Sequence, residues 1–541
     1  MSVARGDIEK AAREGFGFES LRPGQAEAIA SLLDGRDTLV VMPTGSGKSA
    51  IYAIAALLLE RPTVVISPLI ALQRDQAEAL AEADAGGAAA ANSTMGERRR
   101  REVFEDLTRG DLEFLLLAPE QFADPETLEN LRAAEASLLV VDEAHCVSAW
   151  GHDFRPDYLR LASVVDGLGH PVVCALTATA SPPVRREIVD LLGMRDPNVI
   201  VRGFDRPNIA LGVERHERAS DKRKALLEWV AASPRPGIVY VATRRAAEEV
   251  AVELRGRGVD AAHYHAGLKA SARADVQSSF MEGRLEVVVA TVAFGMGIDK
   301  PDVRFVVHHD APDSIDSLYQ EIGRAGRDGE PASAALFYRP EDLGLRRFFA
   351  AGGGPSIEEL RAVMEEVHQR GVAGEDELRR AVGLSSAKLI AAVGRLERIG
   401  ALDVLPGGGV QAIPDMPDAD TAAAAAAARD EVHERIERSR IEMLRAYAET
   451  RDCRREFLLN YFGEPFDGPC GNCDNCLAGR VASEEGARGP FPEGTRVRHA
   501  SWGPGLVMRT EGDKVTVLFD EQGYKTLSAE AVTSKGLLTK A

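Results

Sequence analysis

The sequence predicts an α/β chain of two doubly wound parallel-sheet lobes, followed by a winged-helix-like module, a helical cysteine-bearing module and a small C-terminal β-barrel. Three observations lead there. Short apolar runs alternate with helical patterns across residues 1–203 and again across 204–350, as in parallel sheets covered on both faces. A Gly-Gly-Gly-Pro break at 352–355 opens a stretch rich in Ala, Glu and Arg that spans modules at 355–414 and 420–478. Residues 490–541 change again, to short alternating strands. At 541 residues and 45% hydrophobic content the chain has material for about three to four domains.

In the first lobe, strand-like runs fall at 38–42, 63–67, 114–118, 138–141 and 172–176. The first leads into Pro43-Thr44-Gly45-Ser46-Gly47-Lys48-Ser49 and an apolar helical pattern. Strand, glycine-rich loop and helix in that order make a phosphate-binding loop, although the strict pattern has glycine where this chain has Met42. Gly45 and Gly47 let backbone N–H groups turn toward an anion, Lys48 can reach the β- and γ-phosphates of ATP, and the Ser49 hydroxyl is placed for Mg²⁺. The run at 138–141 ends in Asp142 and Glu143, two carboxylates at a strand terminus, where the ligand crevice of an α/β sheet lies. One can hold Mg²⁺ and the other can orient or deprotonate water. Just beyond, Trp150, Phe154 and Arg155 sit in a segment that follows neither strand nor helix periodicity, which points to base stacking beside a phosphate contact rather than to a core.

The second lobe repeats the alternation without a phosphate loop, with strand-like runs at 237–242, 287–290, 305–308 and 334–338. Its most informative stretch is Gln320-Glu321-Ile322-Gly323-Arg324-Ala325-Gly326-Arg327. Arg324 and Arg327, at i and i+3, share a helix face and can reach a triphosphate across the cleft as arginine fingers. Of six cysteines, Cys453, Cys470, Cys473 and Cys476 cluster near the chain's C-terminal quarter, whereas Cys174 lies in an apolar run and reads as core. Three thiolates on two overlapping C-x-x-C steps, with Cys453 supplied from the preceding helix, suit tetrahedral Zn²⁺ better than a redox pair.

These motifs together resemble the RecQ family of superfamily 2 DNA helicases, over residues 16–347 and 451–476. The resemblance implies RecA-like lobes and an adenine-reading segment around Phe16-Gly17-Phe18, with Arg22 and Gln25 on the base. It implies further nucleotide contacts from Thr44, Gly45, Ser46, Gly47, Lys48, Ser49, Asp299 and Gln320. Catalysis would fall to Lys48, Asp142, Glu143, His145, Arg324 and Arg327, with Mg²⁺ on Ser49 and Asp142 and structural Zn²⁺ on the four cysteines. A DNA strand would be tracked by Trp150, Phe154, Arg155 and His265. The implied function is an ATP-dependent 3′-to-5′ DNA helicase of recombination and repair, and the cysteine motif separates it from RNA-remodelling relatives.

The remainder follows the family less closely. Helical patterns over 356–413, with a second helix at 385–399 and a Gly-rich hairpin at 402–413, resemble a winged helix, here placed before the zinc module rather than after it. Its candidate recognition helix carries Lys388, Arg395 and Arg398 in an acidic neighbourhood, so DNA binding and a structural or protein-contacting role both stand open. Residues 421–451 read as one long helix. The tail resembles the SH3- or Tudor-like barrel of the repair helicases UvrD and PcrA. Behind a linker at 479–490 it reads as a tethered hook for a protein partner, RNA polymerase or a repair factor, with a stabilising cap as the alternative.

A net charge of −19 runs against nucleic-acid binding by the surface as a whole, and leaves the grip to a local groove, backbone N–H groups and stacking. No apolar run spans a bilayer and no signal-peptide pattern opens the chain, so a soluble cytoplasmic protein is expected. An RNA helicase and an ATP-switched adaptor are the competing functions.

Overall fold

Short, mostly apolar strands build the first sheet. The computed structural model describes residues 5–540 except 60–61, 69, 84–86, 93–94, 149–154, 296–297, 345–354, 405–408, 414–417, 465, 467, 482–490, 493 and 512. Its first seven strands are β1 (Thr38–Val41), β2 (Thr63–Ile66), β3 (Ala88–Ala91), β4 (Phe114–Leu117), β5 (Leu138–Val141), β6 (Val172–Thr177) and β7 (Asn198–Val201). They pair in parallel in the order β3-β4-β2-β5-β6-β1-β7. Leu39, Val41, Val64 and Ile66 point into one core, and Val40, Val65, Leu116 and Val140 into the core on the opposite face. Burial on both faces explains why these strands read as continuous Val/Leu runs instead of alternating. The two edge strands were not among those expected. β3 is four alanines, poor strand formers, and β7 starts at Asn198 and stays partly exposed.

The second sheet comprises β8 (Ile209–Arg215), β9 (Gly237–Tyr240), β10 (Ala261–Tyr264), β11 (Val287–Ala290), β12 (Phe305–His308) and β13 (Ala332–Tyr338), all parallel, in the order β10-β11-β9-β12-β13-β8. Again the strands absent from the sequence reading, β8 and β10, are the two edges. The edge formed by β8 is covered by the cysteine module: Leu211 N–H donates to Asn472 O at 3.3 Å and Val213 N–H to Asp474 Oδ2 at 3.2 Å.

Helices Ile357–Arg370, Glu375–Val382 and Ser386–Arg398 surround a three-stranded antiparallel sheet of β14 (Val372–Gly374), β15 (Leu402–Val404) and β16 (Gly409–Ala412), ordered β14-β16-β15. Lys388 pairs with Glu359 at 2.7 Å and Arg395 with Asp430 at 2.8 Å, so two cations of the candidate recognition helix are held by neighbouring carboxylates. On the same helix Glu397 pairs with Arg160 of the first lobe. The Arg398 side chain lies outside the described residues. Helix Ala419–Glu449 sends Ala422, Ala423 and Ala426 into this module's core and Ile436, Ile441 and Leu444 into the core of the lobes.

The tail forms five antiparallel strands, β17 (Arg496–His499), β18 (Gly503–Glu511), β19 (Lys514–Phe519), β20 (Gly523–Ser528) and β21 (Leu538–Lys540), ordered β20-β19-β18-β17-β21 around Val497, Val507, Val515, Val517 and Phe519. This unit is docked. Gly523, at φ 68°, lies so close to Ser439 of the long helix that a Cβ would collide with its side chain. Tyr524 stacks on Tyr461 with ring centroids 5.6 Å apart, and Arg509 lies 4.4 Å over the Phe457 ring while pairing with Asp452. Asp520 reaches Arg186 of the first lobe at 3.1 Å. No described helix is long and apolar enough to cross a membrane.

Candidate nucleotide site and cysteine cluster

Each lobe brings strand-end loops to one cleft. After β1, Gly45 at φ 80° and Gly47 at φ 78° take left-handed backbone that glycine adopts without penalty, and helix Lys48–Ala56 starts directly afterwards. Lys48 Nζ donates to the carbonyls of Met42 at 3.1 Å and Pro43 at 3.4 Å. Burial lowers its pKa, against the opposing pull of Glu143 and Asp142. Arg22 Nη1 bonds Gly45 O, and Gln25 Nε2 donates to Ser46 O at 3.2 Å and Gly47 O at 2.9 Å, so both side chains brace the loop through its carbonyls.

Asp142, 8% exposed, accepts from Gln76 Nε2 at 3.3 Å and from the Glu143 N–H at 3.0 Å. Burial, reinforced by the Glu143 charge and opposed by Lys48, pushes its pKa up to about 6. Glu143 adopts φ 49°, a left-handed conformation that costs a non-glycine residue about 1–2 kcal/mol. Its Oε2 lies 3.2 Å from His145 Nδ1, which also meets Thr177 Oγ1 at 2.9 Å. His145 is thus buried behind the carboxylates, linking them to the end of β6.

From the second lobe, Ser314 caps helix Ile315–Ile322 by accepting the Ser317 N–H at 3.1 Å, and the turn after this helix carries Arg324 and Arg327. Arg324 Nη1 donates to Gly295 O, and Arg327 pairs with Asp299. Arg327 also crosses to the first lobe, where a Cβ on Gly45 would stand 3.5 Å from its Cδ. Between the lobes lies a cavity of about 590 Å³. Thr44, Gly45, Gly47, Lys48, Ser49, Asp142 and Glu143 line it on one side and Asp299, Gln320, Arg324 and Arg327 on the other. Phe16 and Phe18, stacked at 5.8 Å, close one end.

Sequence reasoning missed Tyr52, which also lines the cavity, and Tyr158, whose hydroxyl donates to Asp142 O at 3.1 Å. Tyr52 lies in an apolar helical run and reads as core, and Tyr158 falls among charged residues outside any motif, so pattern alone carries no signal for them. Arg155 Nη1 donates to Pro68 O at 2.9 Å, whereas Trp150 and Phe154 lie outside the described residues. His265, 4% exposed, meets Glu248 Oε1 at 3.2 Å and is away from the cavity lining.

The four sulfurs of Cys453, Cys470, Cys473 and Cys476 lie within 4.8 Å of one another, with Cys470 and Cys476 Sγ atoms 3.9 Å apart. Zn–S bonds of about 2.3 Å require S···S edges of roughly 3.8 Å, so the donor set fits zinc. Backbone N–H groups of Cys470, Asn472 and Cys476 point at three of the sulfurs from 3.4–3.5 Å, which favours thiolates.

Residues 22–187 match the DEAD/DEAH box helicase family, 221–329 the helicase conserved C-terminal domain and 414–477 the RecQ zinc-binding domain. The probable ATP-dependent DNA helicase RecS of Bacillus subtilis is 39% identical over 365 residues, which cover 67% of this chain and 73% of that protein. The chain belongs to the RecQ family. The ATP-dependent DNA helicase RecQ of Pasteurella multocida is 37% identical over 463 residues, covering 85% of this chain but 61% of its own length, so this RecQ chain spans about three fifths of that relative. Its fold is shared by the DUF1998 helicase MrfA, solved bound to DNA and AMPPNP, with a TM-score of 0.53 at 19% identity over 76% of this chain and 62% of that one. In this RecQ chain the residues on the two sides of the cavity fall in two separate family matches, the four cysteines fall in the third, and the barrel lies outside all three.

Proposed function

We propose that this RecQ chain is an ATP- and Mg²⁺-dependent DNA helicase that moves 3′ to 5′ along one strand, in the cytoplasm, in recombination and repair. The observation that carries the reading is the single cavity where Lys48, Asp142 and Glu143 of one lobe face Arg324 and Arg327 of the other. A site completed by both lobes couples hydrolysis to lobe spacing, and lobe spacing to movement on a strand. The names of the relatives RecS and RecQ support DNA as the substrate.

In this reading Lys48 exchanges its two carbonyl partners for phosphate oxygens, while N–H groups of residues 44–49 cradle the phosphates and Arg22 and Gln25 turn to the base. Asp299 and Gln320 contact the nucleotide from the second lobe. Glu143 takes the proton of the attacking water, and the two arginines stabilise charge on the transferred phosphoryl group. His145 positions Glu143 and ties it to Thr177. Trp150, Phe154, Arg155 and His265 contact the strand. Bound Mg²⁺ would neutralise phosphate charge, and the Ser49 hydroxyl and the buried Asp142 carboxylate, lining one cavity, suit an oxygen-seeking cation. The lobes divide near residue 204, with the wing at 355–414, the zinc module at 420–478 and, from 490, a barrel of the UvrD and PcrA kind that takes a protein partner.

Strand displacement on DNA and RNA duplexes with 3′ or 5′ tails tests this reading. Unwinding is expected only for 3′-tailed DNA with ATP, and is lost in Lys48→Ala; unwinding of RNA alone, or from 5′ tails, would overturn it. Cation binding should weaken in acid. With Asp142 titrating at about 6, its carboxylate is protonated as pH falls through that value, so affinity for Mn²⁺ at pH 5.5 should be roughly fourfold below that at pH 7.5. Electron paramagnetic resonance titration checks this, and a flat profile would remove Asp142 from the cation site. Cys473→Ser should lose one zinc per chain by elemental analysis and melt at a lower temperature, because binding and folding of such a module are coupled.

A further inference from the structure

We propose that Glu248, His263 and His265 form a second divalent-metal site, at the outer edge of the second lobe, that takes a borderline transition ion such as Zn²⁺ or Ni²⁺ through two imidazoles and one carboxylate. His263 belongs to β10, an edge strand, and His265 follows one step past its end. Positions i and i+2 leave an extended chain on the same face, and the two rings stand 5.5 Å apart with an angle of 18° between their planes. Helix Arg244–Arg255 packs on β10 and delivers Glu248 to that face. One potential ligand atom from each of the three residues lies within 4.8 Å of the other two.

Metal–nitrogen and metal–oxygen bonds of about 2.0–2.1 Å around a tetrahedral ion require ligand edges of roughly 3.3–3.4 Å. The edge between Glu248 Oε1 and His265 Nε2 is already 3.2 Å. Closing the rest takes rotation of Glu248, which is exposed, and of His263, which is partly exposed. His265 is buried, and its Nδ1 has no hydrogen-bond partner among the described residues. The ring can therefore carry its proton on Nδ1 without giving up a bond there, which presents the Nε2 lone pair beside the carboxylate. In the metal-free chain the Nε2–H instead donates to Glu248 Oε1 at 3.2 Å, and an entering cation displaces that proton to Nδ1 and takes its place beside the carboxylate. Two nitrogens and one oxygen select zinc, nickel or ferrous iron over Mg²⁺ and Ca²⁺, which take oxygen donors, and leave a position for water. Arg244, beside Gly267 and His265, adds a like charge that makes this site weaker than the four-thiolate one. None of the three residues lines the nucleotide cavity, so the site stands apart from ATP hydrolysis, while His265 is shared with the strand contact proposed above.

The test uses the untagged full chain with its cysteine-bound zinc in place, titrated with Ni²⁺ by isothermal calorimetry. One equivalent is expected, with affinity at least tenfold weaker in His263→Ala and in Glu248→Gln. The second variant preserves shape and a hydrogen-bond acceptor, and unchanged melting temperatures in metal-free buffer establish that both variants fold. No equivalent in the wild-type chain, or undiminished affinity in His263→Ala, overturns the site.

Discussion

Arg327→Ala is expected to slow ATP hydrolysis by about a thousandfold while ATP still binds within severalfold of the unmodified chain. The side chain approaches Gly45 from the opposite lobe and is tethered by Asp299, so its position is fixed before nucleotide arrives. Burial, then the neighbouring Arg324, lowers its pKa. A guanidinium starts from so high a value that it stays charged, and a poorly hydrated charge acts strongly on a nearby phosphate. Charge shifts toward the leaving oxygen only as the transition state forms, so the loss belongs in kcat, where a thousandfold is about 4 kcal/mol. Arg327→Lys keeps the charge but not the planar fork and should recover only part of the rate. Single-turnover hydrolysis beside binding of a fluorescent nucleotide reads the two separately. A rate loss below tenfold, or a loss of binding equal to the loss of rate, would make Arg327 an ordinary ground-state contact.

Ending the chain at residue 481 is expected to destabilise what remains, not merely to free it of an appendage. Tyr524 is 6% exposed against Tyr461, and Arg509 covers Phe457, so truncation bares two aromatic rings and leaves Asp452 without its arginine. Truncating one buried aromatic to alanine costs about 3–5 kcal/mol, and Tyr524→Ala alone should lower the urea midpoint accordingly. The shortened chain should also lose protease resistance first around helix Arg454–Tyr461, the surface the barrel covers. A truncated chain with an unchanged midpoint would restore the barrel to the role of a hook on a free tether.

The central strands were legible because residues buried on two faces must all be apolar, and Val64-Val65-Ile66 or Leu138-Leu139-Val140-Val141 allow little else. Edge strands escape that rule. Ala88–Ala91 and Ala261–Tyr264 hold their place through ladder bonds to a neighbour, which leave no mark on composition. The nucleotide-facing residues were legible where a contiguous motif carries them. Tyr158 was not, since its hydroxyl serves Asp142 from inside an otherwise apolar setting. Lys388 and Arg395 show the converse: bases on a candidate recognition helix look available to phosphates until their partners Glu359 and Asp430, distant in sequence, come into view. Docking of the barrel was hidden for the same reason, because Gly523 and Ser439 are each unremarkable until they touch.

Helix Ala419–Glu449, with 31 residues rising about 1.5 Å each, is a rod of roughly 46 Å. Its C-terminal half is clamped to the second lobe, where Arg440, held by Glu437 of the same helix at 2.7 Å, reaches Asp316 at 3.8 Å, while its N-terminal alanines are embedded in the wing. The wing therefore rides on a lever arm: a tilt of about 10° at the clamped end carries the far end through roughly 8 Å by simple trigonometry on that length. Since Glu397 of the wing also holds Arg160 of the first lobe, any lobe separation of that size either breaks this ion pair or bends the rod. The wing thus travels with the second lobe and is latched to the first, so the angle between the lobes becomes a displacement at the far end of a stiff arm.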